Sequence, residues 1–118
     1  MIGLASGLAL GSLGFTHASI EEIGVIRSIP NITIISPCDG LELVKTIYAL
    51  LDYNQPCYVR LTGTSNNPIV NKDDYDFKIG KAVEITNGDD ATLFCNGPLV
   101  YNCIEASNIL KNQSINIS

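Results

Sequence analysis

Residues 32–42 have the sequence ITIISPCDGLE, and this stretch decides the fold class. The run from Ile32 to Ser36 is short, apolar and β-branched, which is typical of a buried strand. Pro37 ends that strand because it has no backbone N–H to donate. Asp39 and Glu42 then form a capping box, in which each side chain satisfies a free N–H of the first helical turn. The stretch therefore predicts a buried strand that passes directly into a helix.

The residues on either side continue the same alternation. Residues 2–10 predict a buried strand that enters a glycine-rich loop over residues 11–17, and Ser19 with Glu22 predicts a capped helix that ends before Pro30. After the second helix, residues 54–56 break the pattern and residues 57–61 predict a third buried strand. The second helix would bury one face made of Leu41, Val44, Tyr48 and Leu51. Continuous apolar strands joined by helices predict a parallel sheet, covered on both faces through right-handed crossovers.

The second half of the chain predicts the start of another α/β unit. Residues 63–76 are polar and predict a surface connection. Residues 81–86 and 91–95 predict two strands of a hairpin around Asn87-Gly88. Pro98 predicts the first residue of a helix whose buried face is Leu99, Cys103, Ala106 and Leu110. Residues 115–117 predict the start of a further strand, so the sequence has the pattern of a piece of a longer α/β protein.

The composition excludes some partners and leaves one question open. Twelve Asp or Glu residues against seven Lys or Arg give a net charge of −5. No basic stripe is present, which argues against nucleic-acid binding and against a polybasic membrane anchor. Charged residues make up 16% of the chain, below the usual quarter or so. Either the chain buries surface against a partner, or its many Asn, Ser and Thr residues solvate it.

The four cysteines, Cys38, Cys57, Cys95 and Cys103, match no zinc spacing and include no Cys-x-x-Cys. They are interpreted as buried thiols in a reducing compartment, which predicts a cytoplasmic protein. The Asp73, Asp74 and Asp76 group lacks the glycine and final glutamate of a calcium loop, and is interpreted as solvated.

His17 is the only histidine and the main candidate for chemistry. Histidine exchanges protons near neutral pH, and the loop lies where a parallel strand ends and a helix begins. The following helix N-terminus would favour an anionic ligand. The alternative is a surface histidine without a role. Glu21 and Glu22 are interpreted as structural, because adjacent helical residues point in different directions.

Seven short motifs in order resemble one family. They are GFTH at 14–17, SIEE at 19–22, RSIPN at 27–31, SPCD at 36–39, PCYVRL at 56–61, FKIGKA at 77–82 and GDDAT at 88–92. This series resembles the pyrimidine-binding domain and the start of the C-terminal domain of transketolase-like thiamine diphosphate enzymes. The resemblance implies transfer of a two-carbon ketol or aldehyde unit, of the transketolase or 1-deoxyxylulose-5-phosphate synthase type. It also implies that His17 is catalytic and that Gly14, Thr16 and His17 line the substrate pocket.

The resemblance also implies what the chain needs from elsewhere. The family's catalytic glutamate and diphosphate motif fall outside this chain, so no cofactor-binding residue is assigned to it. Thiamine diphosphate and Mg²⁺ are expected in an assembled homo- or hetero-oligomer, with a diphosphate-binding domain or companion subunit, and the chain alone is expected to be inactive. Leu13, Ala18 and Gly63 depart from the family pattern, so a sugar-phosphate substrate is not implied.

The resemblance divides the chain into three parts. Residues 1–63 would belong to the pyrimidine-binding domain, residues 64–80 would be a linker, and residues 81–118 would begin the C-terminal domain. Two alternatives to an enzyme part remain: a non-catalytic oligomerisation or interaction module, and an inactive gene remnant.

Overall fold

A computed structural model describes residues 1–62, 67–71 and 73–118, so Gly63 and the first residues of the predicted linker lie outside the described residues. Its centre is a sheet of three parallel strands, β1 (Ile2–Gly3), β2 (Thr33–Ile35) and β3 (Cys57–Arg60), in the spatial order β1-β3-β2. The β2–β3 pairing places Ile34 opposite Tyr58, and the β1–β3 pairing places Gly3 opposite Arg60. The predicted parallel α/β fold is confirmed, with strands shorter than expected.

In the described part of the chain, three α-helices accompany the sheet: α1 (Glu22–Arg27), α2 (Gly40–Leu51) and α3 (Leu99–Lys111). The β1–α1–β2 connection passes over β3, and the β2–α2–β3 connection returns in the opposite direction. Right-handed crossovers that run in opposite directions put their helices on opposite faces. By this rule α1 and α2 lie on opposite faces of the sheet, and β3 is its central strand.

The first predicted strand is wrong in length. The ladder ends after Gly3, because Ala5 has φ +58° and Gly7 has φ +70°, which take the backbone out of the extended conformation. The helix predicted from Ser19 also starts later. Ser19 pairs with Gly7 in an isolated antiparallel bridge, so it is extended, and α1 begins only at Glu22.

The second capping box is confirmed. The Oδ1 atom of Asp39 accepts the N–H of Glu42 at 2.8 Å, and the Oε2 atom of Glu42 accepts the N–H of Cys38 at 2.6 Å. The same Asp39 carboxylate also accepts the N–H groups of Val70 and Asn71, at 3.0 and 2.8 Å. The polar connection after β3 is thus fixed to the start of α2.

The predicted buried face of α2 is wrong. Thr46 is fully buried, whereas Val44, Tyr48 and Leu51 have exposed fractions of 52, 69 and 75%. The cap at Asp39 holds one end of the helix, and Lys45 bonds both the carboxylate of Asp74 and the carbonyl of Tyr75. These polar contacts hold α2 in an orientation in which Val44, Tyr48 and Leu51 face the solvent.

The predicted hairpin of residues 81–86 and 91–95 is also wrong. Neither segment is a strand, and Ala91 instead forms a parallel bridge with Ile117. The carboxylate of Asp90 accepts the N–H of Asn116 at 2.7 Å, and Ser118 donates its N–H to Ala91 at 2.9 Å. Long-range pairing with the end of the chain therefore replaces the local turn. The predicted strand at residues 115–117 is reduced to this one bridge.

The helix α3 follows a close contact between the two halves of the chain. Gly97, with φ +61°, donates its N–H to the carbonyl of Ser36 at 3.0 Å, and Pro98 is the N-cap rather than the first helical residue. Val100 and Ser107 are buried on α3, while Leu99 and Ala106 are exposed. The predicted face is therefore correct only at Cys103 and Leu110, which are half-buried.

All four cysteines are free thiols. Cys38 is buried, Cys57 and Cys103 are half-buried, and Cys95 is exposed, so the prediction of four buried thiols is wrong for Cys95. No helix among the described residues is long and apolar enough to cross a membrane.

Candidate functional site

The candidate site lies on the segment between β1 and α1. Residues 8–18, here called the histidine loop, are closed by two hydrogen bonds between Gly7 and Ser19. The N–H of Gly7 donates to the carbonyl of Ser19 at 2.8 Å, and the N–H of Ser19 donates to the carbonyl of Gly7 at 2.9 Å. We call these two residues the neck. The neck follows the edge of the sheet, because Ser6 donates its N–H to the carbonyl of Leu61 just beyond β3.

Two 3₁₀ turns, Gly11–Leu13 and Phe15–His17, shape the histidine loop. Gly14 joins them with φ +77°, a left-handed conformation that glycine adopts without strain. The N–H of His17 donates to the carbonyl of Gly14 at 3.0 Å. The three residues predicted to line the pocket, Gly14, Thr16 and His17, therefore belong to a single turn.

The side chain of His17 is exposed on this turn. Its Nδ1 atom lies 3.0 Å from the hydroxyl of Thr16, and which of the two is the donor depends on the tautomer. Within the described part of the chain, the other ring nitrogen has no hydrogen-bond partner. The arrangement can therefore present one oriented imidazole nitrogen to a ligand that approaches the loop.

The expected anion site at the next helix is not formed. The helix α1 begins at Glu22, five residues after His17, and has only six residues. Both Glu21 and Glu22 stand at its start, so the local charge is negative. The partial positive charge of a helix N-terminus is thus offset by carboxylates, and no anion is expected to bind there.

A half-buried ion pair lies directly under the neck, and the sequence analysis did not find it. The Nε atom of Arg60 donates to Oε1 of Glu22 at 2.5 Å, and the side chains are only 15 and 13% exposed. The hydroxyl of Ser19 donates to the other oxygen of Glu22 at 3.2 Å. Burial raises the pKa of Glu22, but the hydrogen bond and charge of Arg60, together with hydrogen bonds from the backbone and from Ser19, outweigh it and hold that pKa below its usual value. Glu22 and Arg60 are 38 residues apart, so no local sequence pattern indicates that they pair. They meet only because the strand order of the sheet brings the two segments together.

The SPCD corner at residues 36–39 is structural. Burial, reinforced by the nearby Glu42 carboxylate, raises the pKa of the Cys38 thiol far above its ordinary value, so this thiol stays protonated. Asp39 uses its carboxylate on three backbone N–H groups. Neither residue is positioned as a nucleophile or base.

A cavity of about 760 Å³ lies away from the histidine loop. It is lined by residues of β2, by residues 77–88, by residues 92–96 and by α3, and none of Gly14, Thr16 or His17 borders it. The residues predicted to line a substrate pocket therefore do not line this cavity.

The acidic group at residues 73–76 is not arranged for a cation. Asp74 pairs with Lys45, and Asp76 pairs with Lys78 at 2.7 Å. Among the residues described, no group of three His, Cys, Asp or Glu side chains could hold a metal ion.

Comparisons with known proteins bear on the same segment. The chain is 35% identical over 115 residues to one of the subunits of the apulose-4-phosphate transketolase of Phocaeicola vulgatus, a match that covers 98% of this chain and 37% of that protein. It is 30% identical to the "Putative transketolase C-terminal section" of Methanocaldococcus jannaschii, with 98 and 37% covered. The chain thus spans little more than a third of these curated relatives.

The fold has a solved counterpart. A structure described as "Split gene transketolase, inactive beta4 tetramer" superposes with a TM-score of 0.82 at 23% identity, over 98% of this chain and 36% of that one. The family model for the transketolase pyrimidine-binding domain matches residues 1–67, a range that includes the histidine loop, its neck and all three strands. Because this match covers more than half of the chain, the chain belongs to the transketolase pyrimidine-binding-domain family.

Proposed function

We propose that this chain is part of a transketolase-type, thiamine diphosphate-dependent transferase, and that the histidine loop forms the substrate side of its active site. The observation that carries the proposal is the family match over residues 1–67, within which Gly14, Thr16 and His17 fold into one exposed turn. The reaction is transfer of a two-carbon ketol unit. The relatives named as parts of transketolases favour this reaction over that of a 1-deoxyxylulose-5-phosphate synthase.

His17 is the catalytic residue of the proposal. The Thr16 hydroxyl orients the ring through Nδ1 at 3.0 Å, and the opposite nitrogen is left to contact a substrate oxygen. From there it stabilises the developing charge on that oxygen or moves a proton to or from it. The backbone carbonyl of Gly14 accepts the N–H of His17 and thereby fixes the backbone from which the His17 side chain projects.

The proposal assigns the cofactor's diphosphate and its Mg²⁺ to residues outside the histidine loop. The histidine loop contains no carboxylate, and no metal-binding cluster occurs among the residues described. When bound, thiamine diphosphate would supply the carbon nucleophile for the transfer. In this proposal it is held by a diphosphate-binding domain or companion subunit, and this chain acts only through the contacts of its loop.

The proposed assembly is a homo- or hetero-oligomer. The relative from Phocaeicola vulgatus is named as one subunit of its enzyme, and the superposed structure is described as a tetramer. The four free thiols support a reducing compartment, and we place the protein in the cytoplasm.

The test is His17→Ala in the assembled enzyme, with thiamine diphosphate present and hydroxypyruvate, a small 2-oxo acid, as the probe donor. Loss of a positioned acid–base group lowers kcat by about 100-fold or more. Native mass spectrometry shows whether assembly and bound cofactor are retained. Gln55→Ala, an exposed change on the turn before β3, is the matched control. Unchanged turnover in the His17 variant refutes the role of His17.

A second candidate function is a non-catalytic interaction module. The exposed apolar face of α2 favours it, since Val44, Tyr48 and Leu51 all face outward. The two proposals differ in their dependence on cofactor. A module associates tightly without thiamine diphosphate, so dissociation of the assembly when the cofactor is removed argues for the enzyme part and against the module.

A further inference from the structure

We propose that the Glu22–Arg60 ion pair is a clasp that positions His17 by fixing the neck of the histidine loop. The proposal rests on the catalytic role proposed for His17 and adds the residues that place it. Glu22, Arg60 and Ser19 are positioning residues, because none of them lies on the turn that carries the imidazole.

The histidine loop has few other anchors. No side chain between residues 8 and 18 is fully buried, and the backbone hydrogen bonds within these residues connect them to one another. Phe15, the largest side chain of the loop, is 90% exposed. The placement of His17 relative to the sheet is therefore set at the neck.

The clasp supports both sides of the neck. On one side, the hydroxyl of Ser19 donates to Glu22 at 3.2 Å. On the other side, a Cβ atom added to Gly7 would lie 2.9 Å from an Arg60 guanidinium nitrogen, so that guanidinium lies directly against the Gly7 backbone. Glu22 and Arg60 bond each other, which makes the two supports one unit.

The clasp is itself rigidly placed. Arg60 is in β3, the central strand, and its backbone is in register with Gly3 of β1. Glu22 is the first residue of α1. A displacement of Glu22 or Arg60 is therefore transmitted to the neck rather than absorbed by a mobile side chain, because both are largely buried. A misplacement of about 1 Å at a reacting group can lower a rate by about 100-fold.

The test uses Glu22→Gln and Ser19→Ala in the assembled enzyme. Glu22→Gln removes the charge but keeps an oxygen, which avoids leaving Arg60 without an acceptor, and Ser19→Ala removes a single bond. Amide hydrogen exchange is measured by mass spectrometry at the neck. We expect exchange at Gly7 and Ser19 to accelerate by about tenfold or more, while Val59 and Leu61 in the β1–β3 ladder keep their protection. Glu105→Gln, on the exposed side of α3, is the control.

Turnover of hydroxypyruvate then separates positioning from general damage. With His17 present, Glu22→Gln lowers kcat by about tenfold. In the His17→Ala background the same change has no further effect, because the clasp acts through the imidazole. An equal loss of turnover in both backgrounds, or unchanged exchange at Gly7 and Ser19, overturns the clasp. If His17→Ala alone leaves turnover unchanged, the proposed function fails, and the exchange result still decides whether the clasp fixes the neck.

Discussion

The carboxylate of Asp39 accepts three backbone N–H groups from two separate parts of the chain. Burial raises the pKa of Asp39, but the N–H groups of Glu42, Asn71 and Val70 together outweigh it and hold the pKa below its ordinary value of 3.8. The stabilisation from this depressed pKa is fully present well above pH 3.8 and is lost as the pH falls through the folded-state pKa.

Asp39→Ala should lower the free energy of unfolding by about 2–4 kcal/mol at neutral pH, since it removes an N-cap and leaves further N–H groups without an acceptor. Urea unfolding at a series of pH values measures this loss. The difference from the unchanged protein should shrink between about pH 5 and about pH 2. Asp52→Ala, at the exposed opposite end of α2, serves as the comparison. A loss that is independent of pH contradicts the assignment of stability to the Asp39 carboxylate.

The candidate site was only partly predictable at the residue scale. His17 could be found because it is the only histidine and the residues around it resemble a family motif. The ion pair of Glu22 with Arg60 could not be found, because sequence spacing says nothing about residues that meet only when β1 and β3 pair. The expected anion site failed because the position of Ser19 in a bridge delays the helix until Glu22.

At the scale of elements, the contact between the end of β2 and the start of α3 depends on Gly97, whose N–H donates to the carbonyl of Ser36. Its φ of +61° disfavours any side chain, and a Cβ atom there would lie 2.6 Å from the Ser36 hydroxyl. Gly97→Ala should therefore destabilise the protein by about 2 kcal/mol, from backbone strain and steric overlap together.

The two causes can be separated by a second change. Ser36→Ala removes the overlapping hydroxyl but not the backbone strain, so it should restore part of the stability lost in Gly97→Ala. Thermal unfolding of the single and double variants forms the cycle that measures this coupling. Strictly additive effects of the two changes would mean that the overlap does not contribute, and that strain at Gly97 accounts for the loss alone.

Elements with strong local signals were predicted closely, and elements that depend on distant partners were not. Pro37, the Asp39 cap and the break at residues 54–56 delimit β2, α2 and β3 in the sequence itself, and the structure has all three. The Asn87-Gly88 turn is an equally local signal, yet Gly88 lies against the backbone of Asn116 and the expected hairpin is absent. Pairing with residues 116–118 uses backbone groups of residues 90–93, on the second of the two predicted hairpin strands.

The whole molecule exposes more surface than a protein of its size normally does. Its accessible surface is 8231 Å², whereas a folded monomer of this mass exposes about 6,200 Å². Its radius of gyration, 15.5 Å, also exceeds the roughly 13.5 Å expected for this length. The excess, about 2,000 Å² on this one chain, is larger than the roughly 800 Å² that each partner buries in a standard interface and matches one side of a large obligate interface. A companion that covers part of this surface would also explain why only 16% of the residues are charged.

Val44, Ile47, Tyr48 and Leu51 form the α2 outer face, an exposed apolar stripe with the i, i+3, i+4, i+7 spacing of a helix that packs against a partner. If the proposed companion subunit covers it, the double change Val44→Glu and Tyr48→Glu should weaken assembly by about 30-fold or more. The unfolding midpoint of the separated chain should change little, since these side chains are mostly exposed there. Ile69→Glu alters an equally exposed apolar residue outside the helix and should leave assembly intact.

Sedimentation velocity measures the assembly of both variants. Assembly that tolerates the α2 change but not Ile69→Glu would place the companion on the connection after β3 instead, and would show that the α2 outer face is solvated in the complete enzyme.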